Sequence, residues 1–256
     1  MFINKLPVSF TTTLFLCCIF FTSNAQKKLA TQYTPLSIDF NFGYQIPSGD
    51  LINRFGSNLC VGVGFERISL PKGWIFSVNG FYMFGQTVKE DVLAPMRTAE
   101  GEILGDIGTY ASVQLRERGF YVGAQFGRLI KLSDNGNRFR GIRATFGLGY
   151  FQHRIRLQDD SNSAAQITAP YDVGYDRFTD GFALHQFIGY QVVSRDKTIN
   201  FYAGFDFTEG FTKNRRGFNF DTRLRDDAPR LDVLMGFRVG WSIPLYANVK
   251  ADAIEY

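Results

Sequence analysis

A period of two constrains this chain more than any other feature. Between Leu36 and Ile46, the residues Leu36, Ile38, Phe40, Phe42, Tyr44 and Ile46 alternate with Ser37, Asp39, Asn41, Gly43 and Gln45. Successive side chains of a strand point to opposite faces, so this segment has one apolar side and one polar side. Leu59, Val61, Val63 and Phe65 alternate in the same way with Cys60, Gly62, Gly64 and Glu66. The pattern returns at Trp74–Phe84, Phe120–Gly127, Ile142–Tyr150, Phe182–Val192, Ile199–Phe207 and Leu231–Leu245. Eight segments of about ten residues match the even strand number and strand length of a small single-chain membrane barrel.

The sign of the alternation separates this reading from a soluble one. A β-sandwich or lipocalin-type barrel turns its large apolar residues inward. Here one face is almost uniformly large and apolar, while the other mixes glycine with Asp39, Glu66, Arg143, Asp206, Asp232 and Arg238. Turned inside out, that pattern suits lipid. A bilayer offers the backbone no hydrogen-bond partners, so strands that cross it must close into a ring. The mean hydropathy of -0.10 looks soluble, but alternation averages apolar and polar positions away. The expected fold is therefore all-β: a closed antiparallel transmembrane barrel of eight strands.

The connectors alternate in length. Leu70–Gly73, Ser133–Asn137 and Ser194–Lys197 are short, whereas Ser48–Gly56, Gln86–Gly119, Gln158–Gly181 and Gly210–Arg230 are long. Short periplasmic turns and long extracellular loops give this rhythm, with both chain ends in the periplasm. Alternation through Thr109–Arg116 predicts that the fourth strand runs beyond the membrane, and a further hairpin in the second loop would make ten strands. Aromatics gather near strand ends (Trp74, Tyr82, Tyr150, Tyr190, Trp241 and Tyr246), as interfacial girdles do.

At the amino terminus Lys5 precedes an apolar stretch from Leu6 to Phe21, and Ser23 and Ala25 stand at −3 and −1 before Gln26. This is the order of a cleaved signal peptide, and the stretch is shorter than the roughly 20 residues of a membrane helix. The expected organisation is a signal peptide over 1–25, a periplasmic segment over 26–35, a barrel over 36–246 and a periplasmic tail over 247–256. Cleavage removes Cys17 and Cys18 and leaves Cys60, which excludes an internal disulfide and a cysteine-based zinc site. A formal charge of +4, or +3 without Lys5, is too mild to argue for nucleic acid.

With these segments and the closing strand Val239-Gly-Trp-Ser-Ile-Pro-Leu-Tyr246, the chain resembles the small outer-membrane β-barrels of the OmpA/OmpX and PorT-like superfamily, especially those of Bacteroidota. The likeness is one of architecture over nearly the whole mature chain, and it implies no catalytic residue and no cofactor. It departs from the pattern in its tail, which runs past Tyr246 to Tyr256 and leaves either residue to serve as the insertion signal.

Two sets of residues are candidates for function. An eight-stranded barrel is narrow enough to be filled by its own side chains, so Arg143 and Arg238 are expected to pair across the lumen with Asp39, Glu66, Asp206 or Asp232, because buried charges need partners. The many inward glycines could instead leave gaps for a constricted ion path. In the fourth loop, Arg215, Arg216, Phe218, Phe220, Arg223 and Arg225 form a mixed basic and aromatic surface, with Tyr171, Tyr175 and Phe178 of the third loop beside it. Such a surface could clamp lipopolysaccharide phosphates or dock a protein. His153 and His185 are the only histidines, and Gln152-His-Arg-Ile-Arg156 offers no neighbouring serine. The expected role is structural or protein-interacting, as an accessory subunit of an outer-membrane assembly or secretion machine, with outer-membrane lipids including lipopolysaccharide and other outer-membrane or periplasmic proteins as partners. A narrow pore and a lipid A-modifying enzyme are the alternatives.

Overall fold

The computed structural model describes residues 36–69, 72–106, 108–134, 138–160, 162–194 and 200–245. The expected signal peptide, the segment 26–35 and the tail 247–256 lie outside these residues, as does Tyr246. Eight long strands follow one another: β1 (Leu36–Gly49), β2 (Asn58–Ser69), β3 (Trp74–Gly85), β4 (Val113–Asp134), β5 (Arg138–Asp159), β6 (Thr179–Ser194), β7 (Asn200–Asn214) and β8 (Pro229–Leu245). Each pairs antiparallel with its neighbours in sequence, and β8 returns onto β1 in a ladder from Leu36↔Leu245 to Gly49↔Asp232. The ring is closed, as the alternating pattern predicts.

Side-chain parity separates the two faces. Phe205 is 60% exposed and its neighbour Asp206 is fully buried, and Phe40, Phe42, Tyr44 and Ile46 face outward while Asp39, Asn41 and Gln45 face the lumen. From Leu36 to Ile46 the outward belt spans ten steps; at about 3.3 Å per residue and a tilt of about 40° it stands ~25 Å tall, the height of a hydrocarbon core. Hydrocarbon outside and polar groups inside make this a transmembrane barrel. At the short-turn end the belt is edged by Trp74 stacked on Phe126 at 4.9 Å and Trp241 stacked on Phe201 at 6.0 Å.

The strands outrun the segments read from the sequence. β4 and β5 are 22 residues each; Val113–Gly119, placed above within the second loop, belongs to β4, as the alternation through Thr109–Arg116 predicts. Likewise β7 continues to Asn214 and β8 begins at Pro229. Their upper turns are held by contacts that the alternation does not encode: Ile155 and Phe151 of β5 bury against loop residues. The second loop does form a hairpin, Ile103–Leu104 against Tyr110–Ala111, but it stays outside the ring. The barrel therefore has eight strands, not ten.

Candidate functional site

The lumen is layered. Nearest the short turns, Ile68, Ile75, Leu129, Phe139 and Val193 form a small apolar floor. Above it lies the charged layer, positioned by the inward parity of β1, β2, β5, β7 and β8. Arg143 pairs with Glu66 and Arg238 with Asp206, the latter at 2.7 Å. The remaining expected members are held differently. Asp39 accepts neutral hydrogen bonds from Asn41 at 3.2 Å, Tyr202 Oη at 2.8 Å and Ser242 Oγ at 3.1 Å. Asp232 sits higher, 2.8 Å from His153 Nε2, and also accepts from the Thr212 hydroxyl. Two arginines thus serve two of the four acids, and the other two rely on hydroxyl, amide and imidazole groups.

Aromatic rings fill what the charges leave. Arg238 lies 4.2 Å from the Phe81 ring centre and Arg143 lies 4.5 Å from that of Tyr202, contacts that stabilise a desolvated guanidinium. The inward glycines, read above as gaps, are seats for these rings. A Cβ on Gly240 would lie 2.1 Å from Tyr202 Cζ, and one on Gly123 would lie 2.3 Å from Tyr121 Oη. The cavity bounded by Asp39, Glu66, Arg143, His185 and Arg238 measures about 10 Å³, room for about one water. A channel would need far more.

Both histidines are held inside the barrel by polar partners. The Thr212 hydroxyl donates to Asp232 instead of to the imidazole, so His153 does not activate it as a nucleophile. His153 is fully buried, against Phe55 at 5.5 Å between ring centres. His185 Nδ1 meets Gln125 Nε2 at 2.8 Å, inside the charged layer.

Over the barrel mouth the long loops make a cap. Leu51 and Phe55 of the first loop, Val92 and Leu93 of the second, and Ala164 and Ile167 of the third bury together above Phe81, Tyr121 and Phe151. One chain of ion pairs ties all four loops. Glu90 of the second loop accepts from Arg54 of the first at 2.9 Å and from Arg177 of the third at 2.7 Å, and Arg177 grips Asp221 of the fourth through two bonds of 2.9 and 2.6 Å. Burial pulls the Arg54 guanidinium below its ordinary range, the neighbouring Arg230 adds to this, and Glu90 opposes it. None of Arg54, Glu90, Arg177 or Asp221 stands out by spacing. The available signal was coarse: each long loop holds both acids and arginines, with nothing to single out these four.

The predicted loop surface is only partly available. Arg215 pairs with Asp180 and Arg216 with Asp176 through two bonds. Arg225 pairs with Asp227 at 3.6 Å with both side chains exposed, and Arg223 stands exposed at φ 56°. Phe218 and Phe220 are exposed, as are Tyr171, Val173 and Leu224. Tyr175 is buried edge-on against Phe220 at 5.6 Å, and Phe178 lies under Arg216 at 5.1 Å, so neither adds to the open surface.

No protein-family model and no curated protein sequence matches the chain. Among solved structures, the Neisserial surface protein A aligns at 8% identity with a TM-score of 0.43, covering 82% of this chain and 97% of its own. Ail, the attachment invasion locus protein of Yersinia pestis, aligns at 10% identity and 0.41, over 82% and 99%. OprG of Pseudomonas aeruginosa aligns at 11% identity and 0.37, over 83% and 98%.

Proposed function

We propose that this chain is a non-catalytic outer-membrane barrel that works as a docking subunit, with its capped end presenting a fixed apolar surface to a partner protein of an envelope assembly. The observation that carries this reading is the ion-pair chain Arg54–Glu90–Arg177–Asp221, which joins four loops into one body. Loops held in one arrangement present a preorganised surface, and preorganisation lowers the entropic cost of association. On that body Tyr171, Val173, Phe218, Phe220 and Leu224 are exposed, and grouped exposed apolar side chains mark interaction sites.

The orientation follows from the connector lengths: long loops outside the cell, turns and both ends of the barrel in the periplasm. Export through a cleaved signal peptide over 1–25 fits this placement. A conducting role is disfavoured by the rings and ion pairs that pack the lumen.

The test is photo-crosslinking from Phe218 and Leu224 in native outer membranes, followed by gentle detergent extraction and mass spectrometry. A single stoichiometric crosslinked protein at both positions is the expected result. Recovery of barrel and lipid alone, with single-channel steps in planar bilayers, would replace docking with conduction.

A further inference from the structure

On the outer side of the barrel the same two strands that rise highest carry a second arginine group. β4 and β5 pair in the register Arg116↔Arg156 and Arg118↔Arg154. All four have outward parity: Glu117, His153 and Ile155 between them are buried in the lumen or under the cap, and Arg154 and Arg156 are exposed. Residues directly opposite on antiparallel strands have Cβ atoms about 5 Å apart, where like charges repel. Four guanidinium groups therefore crowd one face of a two-stranded ribbon.

Among the described residues none of the four forms an ion pair with a carboxylate. Arg118 Nη1 donates to the Glu117 carbonyl at 2.6 Å, and Arg116 donates to the Gln114 side chain. The neighbouring outward acid, Asp180, is occupied by Arg215 and by the Tyr150 hydroxyl at 2.8 Å. Elsewhere at this end Arg54, Arg177, Arg216 and Arg230 each hold an acid. The contrast is one of position as well as of pairing.

The group stands at the rim of the hydrocarbon belt. The next outward residue below Arg118 is Phe120, whose ring meets that of Tyr150 at 5.7 Å, and Val122 and Phe182, which flank Tyr150 on the neighbouring strands, are exposed. Two residues along a strand rise about 7 Å, so the guanidinium groups sit one step above an aromatic edge of the kind found at bilayer interfaces. They face sideways, toward the lipid layer, not upward from the cap.

We propose that Arg116, Arg118, Arg154 and Arg156 form a binding site for phosphorylated lipid headgroups of the surrounding leaflet. A guanidinium presents a planar fork that holds two oxygens of one phosphate, and paired forks on adjacent strands match a headgroup carrying two phosphates better than one carrying a single charge. The proposal rests on the barrel's seat in a bilayer and is independent of protein docking on the cap.

The test uses the purified full barrel in neutral detergent, as wild type, as the variant with all four arginines changed to Gln, and as the variant with all four changed to Lys. Each is titrated with diphosphoryl lipid A, phosphatidylglycerol or inorganic phosphate, and bound lipid is read by native mass spectrometry. Wild type is expected to retain diphosphoryl lipid A at least tenfold better than the Gln variant, the Lys variant to fall between them, and phosphatidylglycerol to bind more weakly. Thermal unfolding supplies the second readout: without anionic lipid the Gln variant should be as stable as wild type or more so, and only wild type should gain on lipid addition. Equal retention of lipid A by wild type and the Gln variant overturns the site. Displacement of lipid A by equimolar inorganic phosphate overturns the lipid assignment, because a free anion would then be the ligand. Loss of the cap's crosslinked protein with lipid binding intact would fail the docking reading alone.

Discussion

Arg238 in the lumen and Arg177 in the cap are each 2% exposed, and each meets carboxylates. Their partners live in different solvents. Asp206 is wholly buried beside Gln45, His185 and Arg238, whose guanidinium lies over the Phe81 ring, whereas the Glu90 side chain keeps a third of its surface in water. Removing a partner from the first pair strands a charge where water cannot follow. Removing one from the second lets water and the remaining acid, Asp221, take over. Ion pairs of similar length therefore serve different ends: those in the lumen set whether the barrel packs, and those in the cap set whether the loops share one arrangement.

The largest expected effect breaks the lumen side of this comparison. Asp206→Ala leaves Arg238 buried and unpaired, which should cost about 3–5 kcal/mol, while the double change Asp206→Leu with Arg238→Met should cost far less. Equilibrium unfolding in detergent measures both; a double variant as unstable as the single one would show that the charge is not what matters. Next, Gly240→Val should displace the Tyr202 ring from its seat and destabilise by roughly 1–3 kcal/mol as overpacking does, with Tyr202→Ala in the same chain recovering part of the loss.

On the cap side the effects are smaller and local. Glu90→Gln should weaken the loop body by about 1–2 kcal/mol, in line with hydrogen bonds to charged groups that keep some solvent, and limited proteolysis should cut the loops faster while the barrel's unfolding midpoint holds. A fall in the midpoint equal to that of Asp206→Ala would merge the two regions into one cooperative unit. Smallest is the pair Asp91–Arg97 within the second loop, joined by bonds of 2.6 and 3.2 Å. The Arg97 hydrogen bond holds the Asp91 carboxyl below the usual carboxylate range. Its contribution is therefore present above the unfolded pKa of about 4 and is lost as pH falls through the folded value. The pair is substantially exposed, so Asp91→Asn should cost under about 1 kcal/mol at neutral pH, with the difference from wild type vanishing as acidification protonates Asp91 in the folded state.

Ring architecture was legible because one local rule, alternation, acts on every spanning residue alike. Phe205 and Asp206 declare their faces without knowledge of any neighbour. The upper part of β5 was less legible because a different rule takes over there: Phe151 and Ile155 face inward and are apolar, buried by loops whose arrangement depends on contacts distant in sequence. The same change explains why Arg215 and Arg216 looked free. Asp176 and Asp180, which occupy them, lie 40 and 35 residues away, and only folding brings them near. Glycine misled for a related reason, since Gly240 reads as empty space until Tyr202, from the adjoining strand, is laid over it.

The ladder between β1 and β8 has a consequence for how the molecule comes to exist. Leu36 and Leu245 face each other across it, although they are the first and last residues of the ring. Each other ladder joins strands that are neighbours in sequence and can form as soon as both have been made. This one must wait for the final strand, and it closes the longest loop the chain offers, at the greatest cost in chain entropy. Until then β1 and β8 are two open edges, the exposed templates on which strands of other chains add. The last event in assembly is therefore also the one that removes the hazard, and a chain stopped short of Pro229 would leave β1 and β7 as bare edges.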